Sequence, residues 1–395
     1  MNGCDFPYSP KPQPDPYKGQ TIPIDTAGSA VIGGHLYPVN PRQQTCNPSI
    51  SQSPFFPGCM LWLGFDQLSV NAPDSLGAYS ITRVKEHDRL TIVDTANTVR
   101  WYMMLGDFNA AGELQCPEWS TNPNYIVCLI GTLSKPYSGY AARVSDKKYL
   151  KICDKNLEQF STPHLWVPDS AFAPPGAAVD SPEFDSNGFV VKDQVVRFFG
   201  TTRCKFVYTL YKNGGTLYYV DYSAGGDPAP IPLHKPAGRE SWLCDSPLFS
   251  PDGNWIAFDC FENSAQGNYY GSYIQRLSPD SNPVLIADKA SDPHWWVDRY
   301  AADQYYIVYT QTNGPYFTEY DFADPSIAGS GIAGSTVMRR LKGSWQDAPG
   351  FIGGLEIDDS YSPLTLVRLP FKGGLSPDGR FLCTAYEYAY LLRLN

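Results

Sequence analysis

Two histidines stand in matching surroundings: His164 in Thr162-Pro-His-Leu-Trp166 and His294 in Asp292-Pro-His-Trp-Trp296. An imidazole beside carboxylates can move a proton near neutral pH or ligate a metal. Glu118, Asp245 and Asp292 lie in or beside similar Pro-containing segments, and Arg239-Glu240 precedes one of them. His164, His294 and Arg239 are therefore the candidate catalytic residues, with a divalent ion such as Ca2+ or Mn2+ as the possible cofactor. Glu118, Trp166, Asp245, Asp292, Trp295 and Trp296 are the candidate binding residues, since indoles stack on sugar rings and line binding surfaces. Trp101-Tyr102 and Tyr269-Tyr270 could extend such a platform. A competing reading gives each histidine a backbone carbonyl between sheets and each tryptophan a packing role. His35, His87 and His234 lack any motif. No G-x-S-x-G elbow, P-loop or dinucleotide fingerprint occurs. Gly329-Ser-Gly-Ile-Ala-Gly334 has no phosphate motif after it and reads as a loop insertion.

These residues must be positioned by strands. From about residue 60 onward, short β-branched and aromatic runs alternate with Gly, Pro, Asn and Asp clusters. Tyr125-Ile-Val-Cys128, Phe206-Val-Tyr-Thr209, Trp255-Ile-Ala-Phe258 and Tyr305 to Thr310 are examples. Each reads as a strand bounded by turns. No long amphipathic helical period is present, so the fold class is all-β.

The strands come in repeats. Cys116-Pro-Glu-Trp119, Ser246-Pro-Leu-Phe249 and Asp292-Pro-His-Trp295 are each followed by a turn and a strand, and Thr162 to Trp166 is a further copy. Trp119 to Trp166 and Phe249 to Trp295 each span one repeat of the usual four-strand length. Ser250-Pro-Asp-Gly253-Asn-Trp-Ile-Ala-Phe258 and Ser376-Pro-Asp-Gly379-Arg-Phe-Leu-Cys383 resemble the S-P-D-G repeat of TolB-like β-propellers. In that turn Gly supplies positive φ and Asp holds local backbone donors. The resemblance implies a β-propeller of six or seven four-stranded blades, with the Pro-x-aromatic segments innermost. It would gather Glu118, His164, Asp245, Asp292 and His294 around one funnel, with Arg239 and Glu240 at its rim. The C-terminal run from Tyr388 to Asn395 is strand-like, and since propellers often close by borrowing a strand from the opposite terminus, it is expected to complete the first blade.

Ten cysteines without a C-x-x-C pair point to an oxidising compartment. Cys116 and Cys128 straddle one turn and Cys244 and Cys260 another, so two cross-strand disulfides are expected. Cys46–Cys59 and Cys153–Cys204 are further possible pairs. Residues 1–58 are rich in Pro, Gly, Gln and Ser and read as a tail or tether, with 59–395 the propeller, although Ser29 to Tyr37 could add a strand. Gly3-Cys4 resembles a lipoprotein cleavage site, which would make Cys4 a lipid anchor. No stretch is apolar for long enough to span a membrane. A net charge of −10 with no Lys/Arg cluster argues against nucleic acid. The expected role is an exported propeller, secreted, periplasmic or outer-membrane-anchored, that binds a polysaccharide or an envelope protein. The alternative is a polysaccharide lyase for uronate chains, with a His or Tyr base and an Arg neutralising the uronate. TolB-like propellers are often protein-interaction scaffolds, which the resemblance carries over as a possibility.

Overall fold

The computed structural model describes residues 20–21, 34–39, 46–63, 87–96, 98–132, 135–154, 160–171, 173–174, 176–264, 267–298, 304–312, 334–343, 355–368, 374–385 and 389–394. They form six antiparallel sheets that follow one another along the chain as the blades of a propeller. Blade one comprises β3 (Cys46–Ile50), β4 (Met60–Leu63), β5 (Arg89–Val93) and β6 (Val99–Met104). Blade two comprises β7 (Glu113–Trp119), β8 (Tyr125–Thr132), β9 (Lys135–Arg143) and β10 (Lys148–Cys153). Blade three comprises β11 (Phe160–Trp166), β12 (Lys205–Leu210), β13 (Thr216–Asp221) and β14 (Ile231–Pro232), with helix α1 (Lys192–Phe199) between its first two strands. Blade four comprises β15 (Leu243–Phe249), β16 (Trp255–Ser264), β17 (Gly267–Arg276) and β18 (Val284–Asp288). Blade five comprises β19 (Ala290–Asp298), β20 (Gln304–Thr312), β21 (Gly334–Lys342) and β22 (Glu356–Ile357), and β23 (Leu364–Val367) also pairs with β21.

Blade six joins the two ends of the chain. The hairpin β24 (Phe381–Ala385) and β25 (Ala389–Leu394) pairs with β2 (Gly34–Val39), which carries the two-residue β1 (Gln20–Thr21) on its far side. The ring is thus closed by an N-terminal strand laid on the C-terminal hairpin. The tail boundary expected at 58/59 therefore falls inside the propeller, because 34–39 belongs to blade six and 46–58 to blade one. Cys4, and the side chain of Cys46, lie outside the described residues.

Packing explains why the second strand of a blade is apolar without interruption. Successive strand residues point to opposite faces, and each sheet here has a neighbour on both. In β8, Tyr125, Val127 and Leu129 face a core shared with Phe206 and Tyr208 of blade three, whereas Ile126, Cys128 and Ile130 face one shared with Leu61, Ile92 and Trp101 of blade one. In β16, Ile256 and Phe258 meet blade three and Trp255 and Ala257 meet blade five. Six such cores separate the six sheets among the described residues, the last joining Tyr37 and Leu391 to Met60 and Trp62.

The innermost strands share a defect. Register shifts occur between Cys46 and Ser49, Gln115 and Glu118, Ser161 and His164, Asp245 and Leu248, and Ser291 and His294. Each holds an X-Pro pair, and Cys116, Thr162, Ser246 and Asp292 have φ of 46°, 38°, 51° and 51°. A bulge accommodates a residue that has no N–H to give the ladder. The channel edge of an innermost strand has no neighbouring strand, so the proline sits there at little cost.

The two Ser-Pro-Asp-Gly turns have the same construction. Gly253 and Gly379 adopt φ of 71° and 72°. The Ser250 hydroxyl donates to Asp252 and accepts the Trp255 N–H at 3.0 Å; Ser376 does the same with Asp378 and the Phe381 N–H at 2.8 Å. Each turn packs under an indole of the preceding blade: Trp166 Nε1 donates to the Pro251 carbonyl and Trp296 Nε1 to the Ser376 carbonyl. A Cβ at Gly253 would lie 2.3 Å from the Trp166 ring. Gly253→Ala therefore combines a disfavoured φ with a ring clash, and a loss of about 2–4 kcal/mol is expected in urea denaturation. A loss below about 0.5 kcal/mol, the size of a neutral surface change, would contradict this packing.

One of the two expected disulfides is present: Cys244 pairs with Cys260 across β15 and β16 with Cα atoms 4.0 Å apart. Cys116 and Cys128 are not joined to each other. Cys244 lies two residues ahead of its bulge, within the ladder, whereas Cys116 is itself the bulge residue, at the place of Ser246. Cys116 borders the channel while Cys128 is sealed in the core between blades one and two. Cys153 and Cys204 are likewise not bridged, and both are buried in the core between blades two and three.

Candidate functional site

The channel has two chambers. The narrow one, about 120 Å³, is ringed by Pro48, Pro117, Pro163 and Pro247, with Cys116, Thr162, Ser246 and Asp292 between them. The wide one, about 570 Å³, lies where the inner strands end and their turns begin, and includes Gln52, Thr121, Asn122 and Asp169 beside Trp119, Phe249, Trp295 and Trp296. Glu118, Leu248 and His294 border both and form the neck.

Glu118 is the most perturbed acid of this region. Burial pushes its carboxyl up to about 7, against hydrogen bonds from Ser49 and the Trp119 N–H that favour the charged form. Both bonds end on Oε1, the one from the Trp119 N–H at 3.0 Å. The alternation of β7 explains the placement: Trp119 turns into the core while Glu118, one residue earlier, faces the axis.

His164 borders the wide chamber but is committed elsewhere. It is 5% exposed, its Nδ1 accepts the Phe249 N–H of blade four at 3.0 Å, and its ring bonds the Trp119 backbone of blade two. Burial pushes it down to about 3, so it is neutral at pH 7 and ties three blades together. His294 faces the neck, with Nδ1 3.0 Å from the Asp292 carbonyl and its ring against Gly374. The two histidines occupy matching strand positions, as the sequence suggested, yet His294 is only partly buried where His164 is sealed.

Asp292 borders the narrow chamber and Trp295 and Trp296 the wide one, whereas the other expected residues do not converge on the funnel. Asp245 borders neither chamber; it accepts hydrogen bonds from Tyr211, Thr162 and Thr209, binding blade three to blade four. Trp166 is spent on the Pro251 turn. Arg239 lies over the outer strands of blade four, paired with Asp288 at 2.8 Å and held against the Trp242 ring at 4.2 Å, with Tyr269 and Tyr273 around it. Trp101 donates to the Val144 carbonyl within a core, and Tyr270 stacks on Phe261. The sequence reading looked to residues leading into the inner strands, whereas the wide chamber opens where those strands end. Gln52, Thr121, Asn122 and Asp169 were missed for that reason; their place in the turns after each Pro-x-aromatic segment was the available signal. Among the described residues no group of three or more His, Cys, Asp or Glu is gathered to hold a metal ion. No helix among them is long and apolar enough to cross a membrane.

The class is therefore a six-bladed β-propeller with an aromatic funnel on its axis. No family model matches the sequence, and no curated protein matches it. Among solved structures, TolB from Acinetobacter baumannii is similar at 13% identity and TM-score 0.36, over 77% of this chain and 59% of that one. The propeller domain of the Trilobed protease from Pyrococcus furiosus is similar at 10% identity and TM-score 0.38, over 89% and 95%. A mutant form of the GH43 protein BlXynB from Bacillus licheniformis is similar at 12% identity and TM-score 0.38, over 87% and 60%. The chain thus spans less than two thirds of the TolB and BlXynB chains. Likeness at this level concerns the propeller fold alone.

Proposed function

We propose that this chain is an exported binding module that holds a polysaccharide in its axial funnel. The observation that carries the reading is the wide chamber, about 570 Å³, bordered by the partly buried indoles of Trp295 and Trp296 with the polar side chains of Gln52 and Asp169 beside them. Flat apolar faces with a few hydrogen-bonding groups suit sugar rings, and such a cavity is the usual place for a ligand. The Cys244–Cys260 disulfide supports an oxidising compartment. Lipid attachment at Cys4 belongs to the same proposal and would be read by mass spectrometry of the protein from its native membrane. The lyase alternative is not taken up: it needs a base and a uronate-neutralising Arg at one place, and Arg239 lies on the outer strands of blade four while His164 is buried between blades.

The test is glycan binding by wild type, Trp295→Ala, Trp296→Ala and Trp166→Ala. All three indoles donate to a backbone carbonyl, so all three variants lose some stability. Only the first two border the funnel, and they should weaken binding about tenfold or more. Trp166→Ala should bind as wild type. Equal loss in all three, or capture of a protein and no glycan, would refute the reading. Uronate polymers should yield no ultraviolet-absorbing product.

A further inference from the structure

We propose that the neck of the funnel is a subsite for a primary ammonium group, so that the bound polysaccharide carries free amino sugars and meets Glu118 through the amine. This rests on the reading just given and specifies its ligand. The argument starts from one atom. Both hydrogen bonds that Glu118 accepts fall on Oε1, and Oε2 takes none among the described residues. The residue borders both chambers, so a ligand passing from the wide chamber to the narrow one passes its carboxyl. A carboxylate oxygen in an enclosed site is costly without a donor.

The surroundings select the kind of donor. Among the described residues that border the two chambers there is no Lys or Arg, while Asp292 and Asp169 add negative charge. An anionic sugar would meet repulsion there and find no Lys or Arg to pair with; His294 is the imidazole at the neck. A hydroxyl could donate to Oε2, but an ammonium gives a charge-assisted bond of roughly twice the strength. Trp295 and Trp296 stand in the wide chamber, where they can take the ring faces of the same or the next sugar. The burial that raises Glu118 towards neutrality favours the same partner, since a bound cation restores the charged carboxylate.

Calorimetry at pH 7 tests this with three probes: a β-1,4-linked glucosamine tetramer, its fully N-acetylated counterpart and the matching glucose tetramer. The glucosamine tetramer should bind at least about tenfold more tightly than the other two, the low end for a hydrogen bond to a charged group. Glu118→Gln keeps the shape and an acceptor oxygen but removes the charge. It should bring the glucosamine tetramer to within about twofold of the glucose tetramer, both measured on the same variant. Equal binding of the three probes, or a preference that survives Glu118→Gln, overturns the proposal while leaving the funnel reading intact, provided Trp296→Ala still weakens all three. If no tetramer binds wild type, or if a lysine tetrapeptide binds and no sugar does, both the proposal and the polysaccharide reading fall.

Discussion

A chain lacking residues 1–40 is expected to lose cooperative folding, although most of what it lacks precedes the first complete blade. Strand β2 lies along the whole of β25, from Gly34 opposite Leu394 to Val39 opposite Ala389. Its Tyr37 is 2% exposed and packs with Met60, Trp62, Cys383 and Leu391, so the strand seals the core between blades six and one. The approach is close: a Cβ at Gly34 would lie 2.3 Å from the Arg393 carbonyl oxygen. Deletion removes one fully buried aromatic, worth about 1.5–3 kcal/mol, and a ladder of backbone hydrogen bonds each worth roughly 0.5–1.5 kcal/mol net. The sum, about 5 kcal/mol or more, is comparable with the whole stability of many domains. It also turns β25 into an exposed edge that invites aggregation. Circular dichroism melts and size-exclusion chromatography would read both effects, and a synthetic peptide covering residues 30–42 should partly restore the melt. A truncated chain as stable and as monomeric as the full one would contradict closure by β2.

Arg143→Ala carries the next largest expected effect. Arg143 ends β9 and is 2% exposed. Its Nε and Nη2 donate to Asp146 at 2.9 and 2.8 Å, Nη1 to the Phe198 carbonyl at 2.9 Å and Nη2 to the Ala177 carbonyl at 2.6 Å. The guanidinium also lies 4.9 Å from the Phe198 ring centroid. The Phe198 carbonyl belongs to the last turn of α1, where unpaired carbonyls favour a cation. One side chain therefore pins the segment between β11 and β12 onto blade two. Burial works against the charge on Asp146, but the Arg143 bonds outweigh it and hold the carboxyl below its usual range. Truncation leaves two carbonyls without their donor and that carboxylate with only the Lys148 and Gly176 N–H groups, and a loss of about 3–5 kcal/mol is expected. Arg143→Lys should recover less than half, because an ammonium cannot reproduce the planar fork. Urea denaturation gives the magnitude, and limited proteolysis should cut first between residues 167 and 204. A loss under about 1 kcal/mol, typical of exposed ion pairs, would show that the guanidinium is not the anchor.

What the sequence determined on its own is local. The Pro-x-aromatic segments mark inner strands because proline fits only where no ladder partner is needed. The two Ser-Pro-Asp-Gly turns follow from glycine's tolerance of positive φ, and the runs at Tyr125 and Trp255 follow from burial on both faces of a sheet. Cys244–Cys260 was legible because both residues lie within a regular ladder. The tertiary structure decided the rest. A bulge at Cys116 moved it out of the ladder and undid an inference based on distance from a turn. His164 and His294 share a motif, but the radial packing of neighbouring blades seals one and leaves the other only partly buried. Arg239 is six residues from Asp245 in sequence, yet it lies on outer strands, because a blade carries its chain from the axis to the rim. The Pro-rich start has the composition of a tether in which the sequence allowed a strand over Ser29 to Tyr37, and contact with the far end of the chain decides that 34–39 is one. Periodicity and turn chemistry are properties of a few adjacent residues; register across a bulge, distance from an axis and closure of a ring depend on contacts between residues hundreds of positions apart.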